Sequence, residues 1–386
     1  VRAADAGRGK FSRQLIRSLK RRVERPARER FELPHFDRLL CRGQRHDCPG
    51  RLAREALESH ARRRAGARRA RSGGFDTLSA LFECRPAVPF MVWLRVLPIL
   101  ALIVANTVLH ALPLLTVALF KAALWKGVPA FEDLRRACNR VLTGLGENWI
   151  AVNSGMIDRF TRTRFVVERP AALQANGHYL VLANHQSWVD ILVLQKVFNR
   201  RIPFLRFFLK RQLFWVPVLG LVWWALDFPF MGRYTRKQIA QNPALGRRDM
   251  ETTRRACEKF RSIPVSVMNF VEGTRFTPEK HAEQASPYRH LLKPKSGGVA
   301  FVIDAMGGSL QSILDVAIVY PGGRPTMVDL MGGRIDEIRV TVREREIPAE
   351  FVGGDYQQDE AFRARFQQWM NTLWQEKDEE VARVLG

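Results

Sequence analysis

The chain has 386 residues, 46% of them hydrophobic and 26% charged, and its 62 Lys and Arg outnumber 38 Asp and Glu for a formal net charge of +24. That apolar fraction excludes a wholly disordered chain, and 27 Gly with 20 Pro exclude a fibrous one. Five cysteines without Cys-x-x-Cys or His-x-x-x-His spacing argue against a disulfide scaffold or a zinc site and fit a reducing compartment, while the charge points to an anionic partner: nucleic acid, phospholipid headgroups or a phosphorylated metabolite.

Residues 1–90 hold 23 Lys and Arg, 21 of them Arg, against 10 acidic residues, and contain no Trp, Tyr or Met. Runs such as Arg62-Arg63-Arg64 show no apolar period of 2 or 3.6, so the segment reads as disordered. It could be a basic arm for nucleic acid or acidic lipid, or a targeting peptide. The preferred reading is that it lies outside the working protein, because Met91 is the first methionine and Arg-dominated composition is what GC-rich DNA upstream of a start encodes. No nucleic-acid partner is expected on that reading.

From Val96 to Phe120 the chain is almost continuously apolar, broken only by Asn106, Thr107, His110 and Thr116. About 20 such residues cross a bilayer core. Trp93 and Arg95 before the run, and Lys121, Trp125 and Lys126 after it, suit the membrane interface. Residues 91–127 therefore read as a membrane anchor, either one span or, given Pro98 and Pro113, a bent segment embedded in one leaflet. A buried core helix is the competing reading, and His110 reads as a packing residue.

Residues 131–160 read as helix with a break near Gly144 and Gly146. Beyond Pro170, short apolar runs alternate with helical patterns. Strands are expected at 179–183, 202–206, 265–271, 314–320 and 335–343, and helices at 188–198, 247–261, 297–306 and 359–383. This is an α/β pattern with a mixed, mainly parallel central sheet flanked by helices, placing the globular domain at 128–386. The apolar stretch Leu213–Leu226 is too short to span a membrane; it reads as core, as part of an acyl groove, or as a surface that dips into lipid through Trp215, Trp223 and Trp224.

Three loops carry chemistry. Asn184-His185-Gln186-Ser187-Trp188-Val189-Asp190 follows the strand at 179–183, where ligands of open α/β sheets bind. With His185 in the turn and Asp190 in the first helical turn, the carboxylate would fix the imidazole's tautomer and favour its protonated form. Ser187-x-x-Asp190 is equally a capping box. Phe270-Val271-Glu272-Gly273-Thr274-Arg275-Phe276 ends another strand: Arg275 and Thr274 suit a phosphate, Gly273 allows close backbone approach, and Glu272 would accept from arginine donors. Lys293-Pro294-Lys295-Ser296-Gly297-Gly298 opens a helix and reads as an anion site, though it is not a Walker loop. Asp227-Phe228-Pro229-Phe230-Met231-Gly232-Arg233 adds a further arginine, and Tyr320-Pro321 would shape the pocket floor.

Taken in order, NHQSWVD, DFPFMGR, FVEGTRF and AIVYPGG resemble the four-block pattern of the glycerolipid acyltransferases, the family of 1-acyl-glycerol-3-phosphate acyltransferases, over roughly residues 145–330. The second block departs from the pattern before its aromatic residue. The resemblance implies His185 as general base with Asp190 as its orienting partner. It implies Glu272, Gly273, Thr274 and Arg275 as the acceptor-phosphate block, with Arg233 and Lys295 assisting. It further implies a membrane-bound enzyme of phospholipid biosynthesis, on the cytoplasmic side of a bacterial inner membrane. Such an enzyme moves an acyl group from acyl-CoA or acyl-carrier protein to lysophosphatidic acid, or to lysocardiolipin, lysophosphatidylglycerol or an aminoacyl lyso-lipid, without metal or other cofactor. A lipid-binding scaffold that has lost catalysis is the rival from another class.

Overall fold

The structure, a computed structural model, describes residues 90–124, 127–232, 241–261 and 263–386. The readings made of residues 1–89, of Trp125 and Lys126, and of Arg233 lie outside the described residues. The chain enters through α1 (Phe90–Ala123) and α2 (Pro129–Phe160). Pro129 opens α2, where a missing N–H costs nothing. Strands β1 (Arg164–Glu168) and β2 (His178–Ala183) follow, then α3 (Val189–Phe198), β3 (Leu205–Phe207) and the two-residue β4 (Leu209–Lys210). After a 3-10 turn at Arg211–Trp215 come α4 (Leu219–Ala225), the short β5 (Phe230–Met231), α5 (Pro243–Phe260) and β6 (Val265–Phe270). The remainder is α6 (Pro278–Glu283), α7 (Ser296–Met306), β7 (Ser312–Val319), α8 (Met327–Met331), β8 (Glu337–Arg345) and α9 (Glu360–Leu385).

Six strands form one sheet in the order β1-β8-β7-β2-β6-β3. The pairs β7–β2, β2–β6, β6–β3 and β1–β8 are parallel, and only β7–β8 is antiparallel. This is the mixed, mainly parallel sheet expected. Its central strands are apolar on both faces because helices cover both. Val181 and Ala183 face the core shared with α2 and α3; Leu180 and Leu182 face the core shared with α5, α7 and α9.

Three expectations are corrected. Helix α2 runs unbroken through Gly144 and Gly146. Gly146 serves packing: a methyl there would lie 3.0 Å from the Phe204 ring and 3.2 Å from Leu226. The strand expected at 202–206 is displaced to Leu205–Phe207, and the strand at Arg164–Glu168, half-exposed at the sheet edge, was not anticipated.

Helix α1 is long and apolar enough to cross a membrane. Asn106, Thr107 and His110 face inward, whereas Thr116 is exposed. Asn106 donates to the Trp149 carbonyl at 3.2 Å and to Asn153 Oδ1 at 2.9 Å, Trp149 Nε1 donates to Thr107, and Asn148 Nδ2 meets His110 Nε2 at 3.0 Å. His110 is thus the packing residue expected. Lys121, read as an interfacial cation, is instead buried and paired with Asp227 at 2.8 Å.

Candidate active site

Three parallel neighbours, β2, β6 and β7, end side by side, and each delivers one part of the site: His185, Glu272 and Tyr320. The β2 end is locked by Asn184, whose amide donates to the Ile318 carbonyl at 2.9 Å and accepts from the Ile318 N–H at 2.8 Å, extending the ladder through a side chain. The next residue, His185, lies in the turn before α3. Asp190, fully buried in the first turn of α3, meets His185 Nδ1 with Oδ2 at 2.9 Å. The same oxygen accepts the amides of Gln186 at 2.6 Å and Ser187 at 2.9 Å, which is one half of the expected capping box; the Ser187 hydroxyl accepts from the Val189 amide at 3.1 Å instead of from Asp190. Oδ1 accepts the Tyr320 hydroxyl at 2.6 Å. Burial and the Asp190 charge hold that phenol well above its ordinary range, so it stays a donor. The imidazole stacks on Phe270, ring centroids 3.9 Å apart and planes 13° from parallel.

The second loop is tied to the first: the Phe276 amide donates to the His185 carbonyl at 2.7 Å and the Val271 amide to Ala183 at 3.2 Å. Gly273 takes φ +68°, the left-handed region that favours glycine, and Lys295 lies against it. Arg275 places its guanidinium 5.1 Å from the centre of the Trp188 ring, and Trp188 immediately precedes α3. Histidine and arginine loops therefore share one mouth at the carboxyl end of the sheet. Lys295 is the residue before α7, with its amide on the Val271 carbonyl at 2.8 Å.

Glu272 does not bind arginine donors as its sequence suggested. It is fully buried, its Oε1 accepts the His185 amide at 3.4 Å, and burial first, then the nearby Asp190 charge, push its carboxyl well above the usual range; backbone donors and Lys377 offset this in part. Lys377 reaches from α9 to the seam between β2 and β7, donating to the carbonyls of Leu182 at 3.1 Å and Val316 at 2.6 Å and pairing with buried Asp315.

Residues 164–321 match the Acyltransferase family model. Over these residues the chain is similar to the acyltransferases. Among similar curated proteins, mouse 1-acyl-sn-glycerol-3-phosphate acyltransferase gamma is 26% identical over 214 residues, covering 52% of each chain. Arabidopsis thaliana 1-acyl-sn-glycerol-3-phosphate acyltransferase 3 is 26% identical over 186 residues, covering 44% of this chain and 46% of that one. The chain spans about half the length of the curated relatives it matches. The crystal structure of the 1-acyl-sn-glycerophosphate acyltransferase PlsC from Thermotoga maritima aligns with a TM-score of 0.42 at 17% identity, over 73% of this chain and 95% of that one.

The site thus brings together His185, Asp190, Glu272, Gly273, Thr274, Arg275 and Lys295, whereas Arg233 lies outside the described residues. Sequence reasoning gave Tyr320 a place in the pocket floor and missed its bond to Asp190. It missed Lys280 and Arg324 altogether. Lys280 Nζ donates to Thr274 Oγ1 at 2.9 Å and to the Arg275 carbonyl at 3.0 Å; Arg324 donates to the Phe276 carbonyl at 2.7 Å. Lys280 lies between the blocks, and Arg324 is the residue immediately after AIVYPGG.

Proposed function

We propose that the domain transfers a fatty acyl group from a thioester, acyl-CoA or acyl-carrier protein, to the free hydroxyl of lysophosphatidic acid, giving phosphatidic acid. The observation that carries this reading is the bond from His185 Nδ1 to Asp190 beside the 272–275 turn. With Nδ1 committed, Nε2 is the nitrogen left for the acceptor hydroxyl. As that oxygen attacks the thioester carbonyl, Nε2 takes its proton, the tetrahedral adduct collapses and the thiolate leaves to be protonated. Asp190 stabilises the imidazolium meanwhile. Base assistance of this kind supplies roughly 10²–10⁴ in rate, and a headgroup phosphate held on Arg275, Thr274 and Lys295 supplies the orientation. The acceptor attacks directly, so the scheme uses no acyl-enzyme.

The lipid substrates suit a membrane-bound chain. α1 inverts the soluble pattern, exposing Leu97, Leu109, Leu112 and Leu119 while burying Asn106, Thr107 and His110. Its polar face is bonded to α2, which favours embedding in one leaflet over a lone span. Trp215, 80% exposed, and Trp224 on α4, which packs against α1, extend the apolar surface. The membrane proposed is the bacterial inner membrane with the domain on its cytoplasmic face. The deciding assay compares lysophosphatidic acid with uncharged monoacylglycerol as acceptors for the purified full chain. Transfer to the phosphate-bearing lipid that is lost in His185→Ala supports the reading; transfer that survives this substitution sinks it.

A further inference from the structure

We infer that the C-terminal helix α9 carries two positioning residues for this site, Lys377 and Asp378: the first holds the strand ends that deliver the general base, and the second holds the loop that backs the 272–275 turn. The inference rests on the proposed acyl-transfer reading and deepens it. Both residues lie beyond residues 164–321, the stretch that matches the family model.

Helix α9 docks through apolar side chains. Phe362, Phe366, Met370, Leu373, Trp374 and Val381 are buried in one core with Leu180 and Leu182 of β2. That stripe suffices to seat a helix, and a buried ion adds a desolvation cost that an apolar residue of similar size would avoid. Yet Lys377 and Asp378 are only 3% and 6% exposed. Consecutive helical residues point about 100° apart, so the two reach different segments of the chain.

The Lys377 ammonium is fully used: it donates to the carbonyls of Leu182 at 3.1 Å and Val316 at 2.6 Å and pairs with the Asp315 carboxylate. Leu182 and Val316 belong to the neighbouring strands β2 and β7, where Leu182 pairs with Asp315 and Ala183 with Val316. The first strand runs on into His185; the second runs on into Tyr320, whose hydroxyl holds Asp190. A single cation thus spans the two strands whose ends must stay in register for His185, Asp190 and Tyr320 to bond in a chain. Asp378 turns the other way. Its carboxylate accepts the amides of Arg289 and His290, each at 2.7 Å, and Trp374, one turn earlier on α9, donates from Nε1 to the Leu292 carbonyl at 3.0 Å. The loop so gripped backs the other half of the site: the Leu292 amide bonds Glu272, and the Lys295 amide bonds the Val271 carbonyl at 2.8 Å. Adjacent residues of one helix therefore tie down the two halves of the site separately.

The test compares Lys377→Met and Asp378→Ala with wild type, as full chains in detergent, well below each variant's unfolding temperature. In Lys377→Met, Asp315 keeps its pair with Arg345 at 2.9 Å; should that variant not fold, Lys377→Met with Asp315→Asn takes its place, removing both charges while Arg345 keeps Glu376 at 2.6 Å. Amide hydrogen exchange is read on peptides covering 184–190 and 291–296, the second chosen to exclude the two amides that lose their acceptor. Lys377→Met should speed exchange at least about five-fold in the first peptide and leave the second unchanged, and Asp378→Ala should do the reverse. Kinetics with lysophosphatidic acid and acyl-CoA should divide in the same way: Lys377→Met lowers kcat about ten-fold at unchanged acceptor KM, whereas Asp378→Ala raises acceptor KM about three- to ten-fold at unchanged kcat. Asp378→Asn, which keeps a carbonyl acceptor, should restore most of that KM. A helix that only stabilises the fold would speed both peptides alike in both variants and give both the same kinetic change; that result overturns the inference, as does unchanged exchange, or failure of every variant at either position to fold. Wild type that transfers no acyl group overturns the proposed function instead, and the exchange pattern then still decides this inference.

Discussion

Both carboxylate oxygens of Asp190 are committed before substrate arrives, Oδ2 to the imidazole and two amides, Oδ1 to Tyr320. A side chain so constrained has one rotamer available, and that rigidity passes to the His185 ring. Tyr320→Phe removes a hydrogen bond to a charged group while keeping ring volume. It should lower kcat about ten-fold and leave both substrate KM values unchanged, as steady-state kinetics will show. The motif itself was legible: a histidine in a strand-end turn with an aspartate five residues on. The support from Tyr320 was not, because 130 residues separate it from Asp190 and only sheet adjacency joins them. Glu272 was misread for a related reason. An acidic residue beside an arginine reads as an ion pair, whereas its strand-end position buries it.

That burial has a pH consequence. The Glu272 carboxyl, ordinarily near 4.5, is pushed well above that value in the folded chain, so the fold holds a proton that the unfolded chain has already released. Stability is therefore lost as pH rises from about 4.5 toward the folded value. Glu272→Gln keeps the shape and has no proton to release. Thermal unfolding at pH 5 and pH 8 should show the Tm of this variant gaining on wild type at the higher pH. A difference that is the same at both values would mean that the carboxyl is not held protonated.

At the scale of an element, α2 separates what a glycine does to a chain from what it does to a fold. Two glycines two residues apart read as a helix break, since each costs a helix about 1 kcal/mol relative to alanine. The helix continues because its neighbours hold it. Gly146 lets Phe204 and Leu226 close onto its backbone, while Gly144 has open space around it. The two should respond oppositely to the same substitution. Gly146→Ala should destabilise by about 1–3 kcal/mol through overpacking, and Gly144→Ala should stabilise by about 0.5–1 kcal/mol. Chemical denaturation of the pair checks both signs. Strand β1 eluded sequence reading because Arg-Phe-Val-Val-Glu is short and half-exposed, and its partner β8 begins at Glu337. The central strands were plain, since β2, β6 and β7 are apolar on both faces and each ends in a polar turn.

For the whole molecule, the proposed membrane association rests on α1. Its length and hydropathy suffice for a span, and the burial pattern shows which of its faces is exposed. Leu109 and Leu112 are 67% and 64% exposed, whereas Asn106 is buried in hydrogen bonds with α2. A lone span would present its whole circumference to lipid, and Asn106 would then oppose insertion. In the embedded arrangement Asn106 is internal, and the outward leucines supply the binding energy. Leu109→Gln with Leu112→Gln should leave the fold intact and lower partitioning onto phospholipid vesicles at least about ten-fold, because each withdrawn leucine removes up to about 1.5–3 kcal/mol of apolar burial. Asn106→Leu should leave partitioning unchanged and lower Tm, since it breaks the seam with α2 while adding nothing to the lipid face. Co-sedimentation with vesicles, paired with thermal unfolding, separates the two arrangements. If Asn106→Leu strengthens vesicle binding while the leucine pair has no effect, α1 presents the opposite face to the membrane, and the site must reach its lipid from another side.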